Sequence, residues 1–468
     1  MHFTFFSNNP ESHWLEVRWE IPDNQETELE IQWPAWRPGR YELQNFAQKV
    51  GQVTLKGTKG EMKKISKDRW KISGLNPGPV TIQYRFYAEE INAGGSYLST
   101  DFLYLNPINA TPYIPSRREE PVTVFLPGTQ NLRYAGGLPG KKTDEGWVLE
   151  APNYDQWVDS PFLLSTTLQD RTYFVQGVPF TLWIDGHINP DWNTLLPEFE
   201  AFTQKQIELF GEFPEPDFHF LLWVVDFPFY HGVEHRNSTM MVLGPATQDP
   251  AEFRRELLGL ASHELFHVWN ICKIRPKELL PYDYSRENYF NTCFIAEGIT
   301  TYYGDEMLRR ATVFTQEEYV KELETICRRH FETAEPAELS LLDSSIDLWM
   351  DGYRSGVPFR KVSVYHKGAL VALILDHWIR QFSQESASLD TVMQHMWKQF
   401  GKTQVGYTYT DYQEIIASLL PENSTQNYFS RFIEGTESLW EPIQEVLHQQ
   451  GLPRLIRTPT GKVCFDLN

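Results

Sequence analysis

The run His263-Glu264-Leu265-Phe266-His267 sets two imidazoles four residues apart, with a carboxylate beside the first. On a helix, side chains four apart share a face, so both imidazoles can reach one metal ion. Glu264 then stands where it can take a proton from a water that the metal polarises. With 13 histidines in 468 residues, chance produces this pattern in roughly a few per cent of chains. The flanking residues argue against chance, because they carry helix signals of their own. Asp249-Pro250-Ala251-Glu252 offers an N-cap, a first-turn proline and a returning glutamate. Leu257, Leu258, Ala261, Leu265 and Val268 then recur at helical spacing.

A hydrolytic zinc site keeps three protein ligands and one open position. The best candidate for the third is Glu297, in the run Phe294-Ile295-Ala296-Glu297-Gly298-Ile299-Thr300. A carboxylate among apolar residues is costly to bury unless it is paired or bound to metal. The competing reading is a surface glutamate on an amphipathic helix. Cys272, five residues past His267, is rotated off the ligand face. His231 and His235 are read as structural, since the helix already supplies two imidazoles.

Several kinds of element must position these residues. The first 160 or so read as β. Leu15, Val17, Trp19 and Ile21 alternate with polar residues, and the pattern returns at Leu29, Ile31 and Trp33 and from Val80 to Phe86. Turn signals at Pro22-Asp23-Asn24, Pro38-Gly39, Asn76-Pro77-Gly78 and Ala93-Gly94-Gly95 separate the runs. Short strands between such punctuation predict an antiparallel β-sandwich. A second domain opens with strands at Tyr173–Val175, Phe180–Ile184 and Phe218–Val225. The period turns helical from about residue 250, with further helix starts at Thr315 with Glu318 and at Thr410 with Gln413. Ala369 to Ile379 reads as a buried helix.

Composition narrows the function classes. The chain carries 62 acidic against 42 basic residues, a formal charge of -20. That field repels phosphate backbones, and no basic stripe offsets it, so nucleic-acid binding is not expected. A cationic ligand such as a peptide's free amine meets a mildly favourable potential. Four scattered cysteines, Cys272, Cys293, Cys327 and Cys464, suit free thiols rather than a disulfide framework. No apolar stretch is long enough to span a bilayer. With no leader visible at MHFTFFSNNPES, a soluble, cytoplasmic protein is expected, or an exported one if a leader has been trimmed from this sequence.

HELFHVWN followed by AEGITTYYGD resembles the glycyl aminopeptidase family of zinc metallopeptidases. These gluzincins share a catalytic core with aminopeptidase N-like enzymes. Gly232-Val233-Glu234-His235-Arg236-Asn237-Ser238 resembles the strand motif whose glutamate holds the substrate's α-amine. Val364-Tyr365-His366-Lys367-Gly368-Ala369 resembles the segment whose tyrosine stabilises the tetrahedral intermediate. Trp36-Arg37-Pro38-Gly39-Arg40-Tyr41 is similar to the family's β-domain. The motifs occur in order and span most of the chain.

The resemblance implies one zinc ion per chain, held by His263, His267 and Glu297, with Glu264 as base, Tyr365 as oxyanion donor and Glu234 as amine anchor. It implies peptides with a free N-terminus as substrates, Gly or Ala preferred. Such a preference requires a shallow first pocket closed by bulky side chains, for which Phe227, Phe229 and Tyr230 are candidate walls, equally readable as core residues. It also implies a multidomain α+β fold. The expected parts are a β-domain over 1–168, a thermolysin-like catalytic domain over 169–310 and a helical domain over 311–468 that contributes Tyr365. Family members commonly carry a PDZ domain near the C-terminus and many are exported. Too few residues follow Gly451 for such a domain, and neither feature is expected here. Two rival readings remain: a catalytically silent interaction scaffold, and a thermolysin-like endopeptidase, which has no use for Glu234.

Overall fold

A computed structural model describes residues 1–247, 249–354 and 356–466. The chain divides into two compact units. The first holds residues 1–192, 215–253 and 284–286, and the second holds 193–214, 254–283 and the rest from 287. The expected segment 1–168 falls within the first and 311–468 within the second. Residues 169–310 are shared between them.

The first unit is built of sheets. Seven strands form one, in the order Gly140–Lys142, Gly146–Ala151, Val122–Pro127, His2–Phe6, Trp14–Asn24, Gly78–Tyr87 and Val50–Lys56. The alternation read from Leu15 to Ile21 is realised directly, with Leu15, Val17, Trp19 and Ile21 all buried. Trp19 stacks on Phe3 of the neighbouring strand at 5.3 Å between ring centroids. The sheet is not wholly antiparallel, because His2–Phe6 pairs in parallel with Val122–Pro127. More than a hundred residues separate these two strands, so no hairpin constrains their direction.

A five-stranded sheet carries the Glu234 segment. Val178–Asp185, Phe218–Val224 and Ser238–Gly244 run parallel, flanked by the antiparallel edges Gln169–Val175 and Phe229–Glu234. Leu221, Trp223, Met240 and Val242 of this sheet share a core with Phe102, Tyr104 and Leu163 of a four-stranded sheet. Parallel neighbours require a long crossover connection. The one from Asp185 to Phe218 contains the helix Trp192–Phe210, which the sequence reading missed. Its apolar residues Phe199, Phe202, Ile207 and Phe210 are buried at helical spacing, but Pro197 lies inside the element and argues locally against a helix.

The second unit is mainly helical. Three helices matter for the site: Pro250–Phe266, Thr300–Arg310 with a π-helical turn Phe294–Ile299 before it, and His366–Ser383. Gln316–Thr333 starts at the Thr315–Glu318 capping box read from the sequence. The later start lies at Thr408 with Asp411, two residues before the expected Thr410, because Asp411 reaches back to the Thr408 N–H. A hairpin, Arg454–Arg457 with Val463–Asp466, follows the last helix and adds a small sheet to this helical half. No helix among the described residues is long and apolar enough to cross a membrane.

Candidate active site

The candidate metal-ligand pair His263 and His267 lies where its helix ends. Glu252 N–H donates to the Asp249 carboxylate at 3.0 Å, the N-cap expected from sequence. The helix stops at Phe266, so His267 is the first residue beyond it. His267 still lies over His263: their Nε2 atoms are 3.0 Å apart and the rings meet edge to face. The turn tightens immediately afterwards, and Ile271 takes φ 123°, a region that β-branched residues avoid. This turn brings the Asn270 carbonyl back to accept the His267 Nδ1–H at 2.9 Å. That hydrogen bond leaves Nε2 with its lone pair outward, as a metal ligand needs. Burial and the nearby His267 lower the His263 imidazole to about 3 against the pull of Glu297. It stands neutral, also as a ligand must.

The structure brings Glu297 to the same place. It is buried, and its Oε2 lies 3.9 Å from His263 Nε2 and 3.5 Å from His267 Nε2. The residue sits in the π turn, a rare geometry that often marks functional sites. One close backbone crossing fixes this turn. A Cβ on Gly298 would come within 2.5 Å of Gly368 Cα, and one on Gly368 within 2.7 Å of Gly298 Cα. The Glu297 turn and the first turn of His366–Ser383 therefore touch backbone to backbone. Two turns further on, Gly304 backs onto the Cα and Cβ of His263. Ser262 Oγ donates to the Gly304 carbonyl at 2.7 Å, locking the same pair of helices.

Tyr365 is the residue before His366–Ser383, three positions ahead of Gly368. Glu264 is buried on the last turn of its helix, between the two histidines. Glu234 closes an edge strand of the first unit, opposite Thr239. Gly39 lies against it, and a Cβ there would meet the Glu234 carboxylate oxygens at 2.6 and 2.8 Å. The loop read as Trp36 to Tyr41 thus approaches Glu234 through the one residue without a side chain. Gly39 also has φ 71°, which disfavours any L side chain. Gly39→Ala is expected to displace the Glu234 carboxylate and destabilise by about 1 kcal/mol. A lowered thermal midpoint together with slower turnover of free-amine peptides checks both effects.

His231 and His235 have structural partners, as expected. His231 Nδ1 accepts the Ala93 N–H at 3.2 Å, and His235 Nδ1 meets the Asp159 carboxylate at 2.8 Å. Burial, with Arg37 and Arg40 near, lowers His231 to about 3 and keeps it neutral. Of the candidate walls, Phe227 and Tyr230 are exposed, while Phe229 packs against the sheet core. Asn270, Thr300 and the crossing glycines escaped the sequence reading. Gly298 and Gly368 stand in the quoted motifs, and two glycines inside helical stretches were the available signal.

The donor set fits a small divalent cation. Two neutral imidazole nitrogens and a carboxylate oxygen converge on one point, and among the described residues His263, His267 and Glu297 form such a group. Bonds of about 2.0–2.2 Å in tetrahedral array place ligand atoms roughly 3.4 Å apart. The observed 3.0, 3.5 and 3.9 Å bracket that value. The helix C-terminus, with its partial negative charge, also favours a cation there.

The peptidase M61 N-terminal domain model matches residues 2–166, and the M61 glycyl aminopeptidase model matches residues 256–371. Together they take in well over half of the chain. The chain belongs to the M61 glycyl aminopeptidase family. It is therefore a peptidase. The second M61 match contains His263, Glu264, His267, Glu297 and Tyr365, and the first contains Gly39. Among solved structures, an aminopeptidase N family protein from Idiomarina loihiensis is similar, with 28% identity and a TM-score of 0.87. The match covers 95% of this chain and 78% of that one. An M1 zinc metallopeptidase from Deinococcus radiodurans, solved also with a Tyr-Ser-Ala substrate, has a TM-score of 0.55 at 14% identity. That match covers 93% of this M61 chain and 93% of the other, and it speaks for the fold alone. No curated protein is found as a relative.

Proposed function

We propose that this M61 peptidase is a zinc-dependent aminopeptidase that removes the N-terminal residue of peptides, Gly or Ala by preference. The observation that carries the reading is the convergence of two imidazoles and a buried carboxylate around one point, with a second buried carboxylate on the same helix turn. His263, His267 and Glu297 would hold one zinc ion per chain. When bound, zinc supplies Lewis acidity that makes water acidic and polarises a carbonyl.

The chain's own groups do the rest. Glu264 takes the proton of the attacking water and passes it to the leaving amine. The Tyr365 hydroxyl donates a hydrogen bond to the oxygen that becomes negative, a contribution of about 3 kcal/mol where one such donor is removed. Glu234 pairs with the substrate's ammonium group and fixes cleavage one residue in. An internal peptide bond brings no such charge and leaves that acid uncompensated.

Hydrolysis of glycyl, alanyl, leucyl and N-acetylated amides, before and after chelation, tests the reading. Glycyl and alanyl amides are expected to be cleaved fastest, acetylated ones not at all, and chelation should abolish turnover until zinc is restored. Glu234→Ala is expected to lower kcat/KM on free-amine substrates about tenfold to a hundredfold, the range of a charged hydrogen bond worth about 1.5–3 kcal/mol. Equal cleavage of acetylated peptides would instead support an endopeptidase. A metal-loaded protein inert on every peptide would support the silent scaffold.

A further inference from the structure

We propose that Asn270 is a positioning residue that ties His267 and Glu297 together, so that one side chain and its own carbonyl set the spacing of two metal ligands. The inference rests on the reading that those two residues hold zinc. Asn270 is fully buried. Its backbone oxygen accepts the His267 Nδ1–H at 2.9 Å. Its side-chain amide turns the other way, into the π turn that carries Glu297. Nδ2 donates to the carbonyls of Ile295 at 2.8 Å and Ala296 at 3.2 Å, and to Thr300 Oγ1 at 3.0 Å. Thr300 Oγ1 in turn donates to the Ala296 carbonyl at 2.6 Å and lies 3.5 Å from His267 Nδ1.

Three acceptors around one nitrogen fix which end of the amide faces the turn. The two carbonyls belong to the residues immediately before Glu297. Moving the amide therefore moves the carboxylate. Through the backbone of the same residue it also moves the acceptor that aims His267. The strained neighbour supports this account. Ile271, at φ 123°, holds the chain in a conformation that β-branched residues avoid, and such strain persists only where surrounding contacts impose it. The contacts of Asn270 on both sides supply that constraint. A residue that merely satisfied buried backbone groups would need only one of its two sets of bonds.

Asn270→Asp is nearly isosteric and keeps the backbone carbonyl. It replaces the donor by an oxygen that opposes the Ile295 and Ala296 carbonyls. Thr300→Val removes the linking hydroxyl and keeps the branched shape, and Thr300→Ser returns the hydroxyl. Zinc affinity, read by chelator competition, is expected to fall tenfold or more in Asn270→Asp, the usual scale for partners of ligands. It should fall less in Thr300→Val and recover in Thr300→Ser. The visible spectrum of the cobalt-substituted protein should change in the first two variants, and kcat should fall more than KM rises.

Wild-type zinc affinity and cobalt spectrum in both Asn270→Asp and Thr300→Val would overturn the proposal. Should Asn270→Asp fail to fold, Thr300→Val against Thr300→Ser decides it. His267→Ala tests the underlying reading separately. If that variant holds zinc as tightly as wild type, the ligand assignment fails, whatever Asn270 does.

Discussion

Glu264→Gln is expected to keep its zinc and lose about a thousandfold in turnover. The substitution preserves volume and shape at a side chain that is only 5% exposed, so packing of the helix end is not disturbed. His263, His267 and Glu297 remain, and with them the three converging donor atoms. What disappears is the group that can take a proton. A positioned general base is worth about a hundredfold to ten-thousandfold, and in the proposed reaction the same carboxylate serves twice, on attack and on departure of the amine. The upper half of that range is the expectation. Metal content by atomic absorption and hydrolysis of a glycyl amide measure the two halves of the claim. Turnover within tenfold of wild type would mean that another residue is the base. Loss of zinc along with activity would give Glu264 a part in holding the metal instead.

Much of this site was legible because the chemistry sits in local patterns. Histidines four apart, a returning glutamate at a helix start and an acid among apolar residues each need only a few neighbours to be read. Alternation gave the strands around Leu15 and Val80 for the same reason, since a half-buried sheet writes its two faces directly into the sequence. The helix Trp192–Phe210 escaped because Pro197 speaks locally against it, while its apolar face is satisfied only by distant partners. Gln206, for example, donates from that helix to the Ser262 carbonyl, one residue before His263.

The supporting contacts were not legible, because they join segments far apart in the chain. Asn270 meets the Glu297 turn across 25 and 26 positions. Gly39 meets Glu234 across nearly two hundred. Parallel pairing of the first strand with Val122–Pro127 is of the same kind. The helix end also behaved differently from its pattern. Spacing of four put both imidazoles on one helical face, yet the helix stops before His267 and the turn beyond it completes the alignment. Periodicity names the residues that can share a face. It does not say what holds them there.

The glycine crossing leads to the second large effect. Gly→Ala inside a helix ordinarily stabilises by about 1 kcal/mol, because alanine loses less backbone entropy. At Gly368 the sign should reverse. The added Cβ would sit 2.7 Å from Gly298 Cα, and backbone in contact with backbone cannot step aside as a side-chain end can. The two turns must separate, and overpacking of this kind costs about 1–3 kcal/mol. One turn carries Glu297 and the other begins at Tyr365. A displacement of about 1 Å in catalytic geometry costs roughly a hundredfold, so kcat should fall by about that factor. Gly259→Ala, on the helix of His263, provides the contrast. There the nearest atom outside the helix to an added Cβ is Asp305 Oδ1 at 3.9 Å, so the ordinary helical gain in thermal midpoint should appear with activity retained. Kinetics and thermal unfolding of the pair decide the matter. Near-normal kcat in Gly368→Ala would show that the spacing of the Glu297 and Tyr365 turns does not limit catalysis, and equal losses in both variants would reduce the effect to general destabilisation.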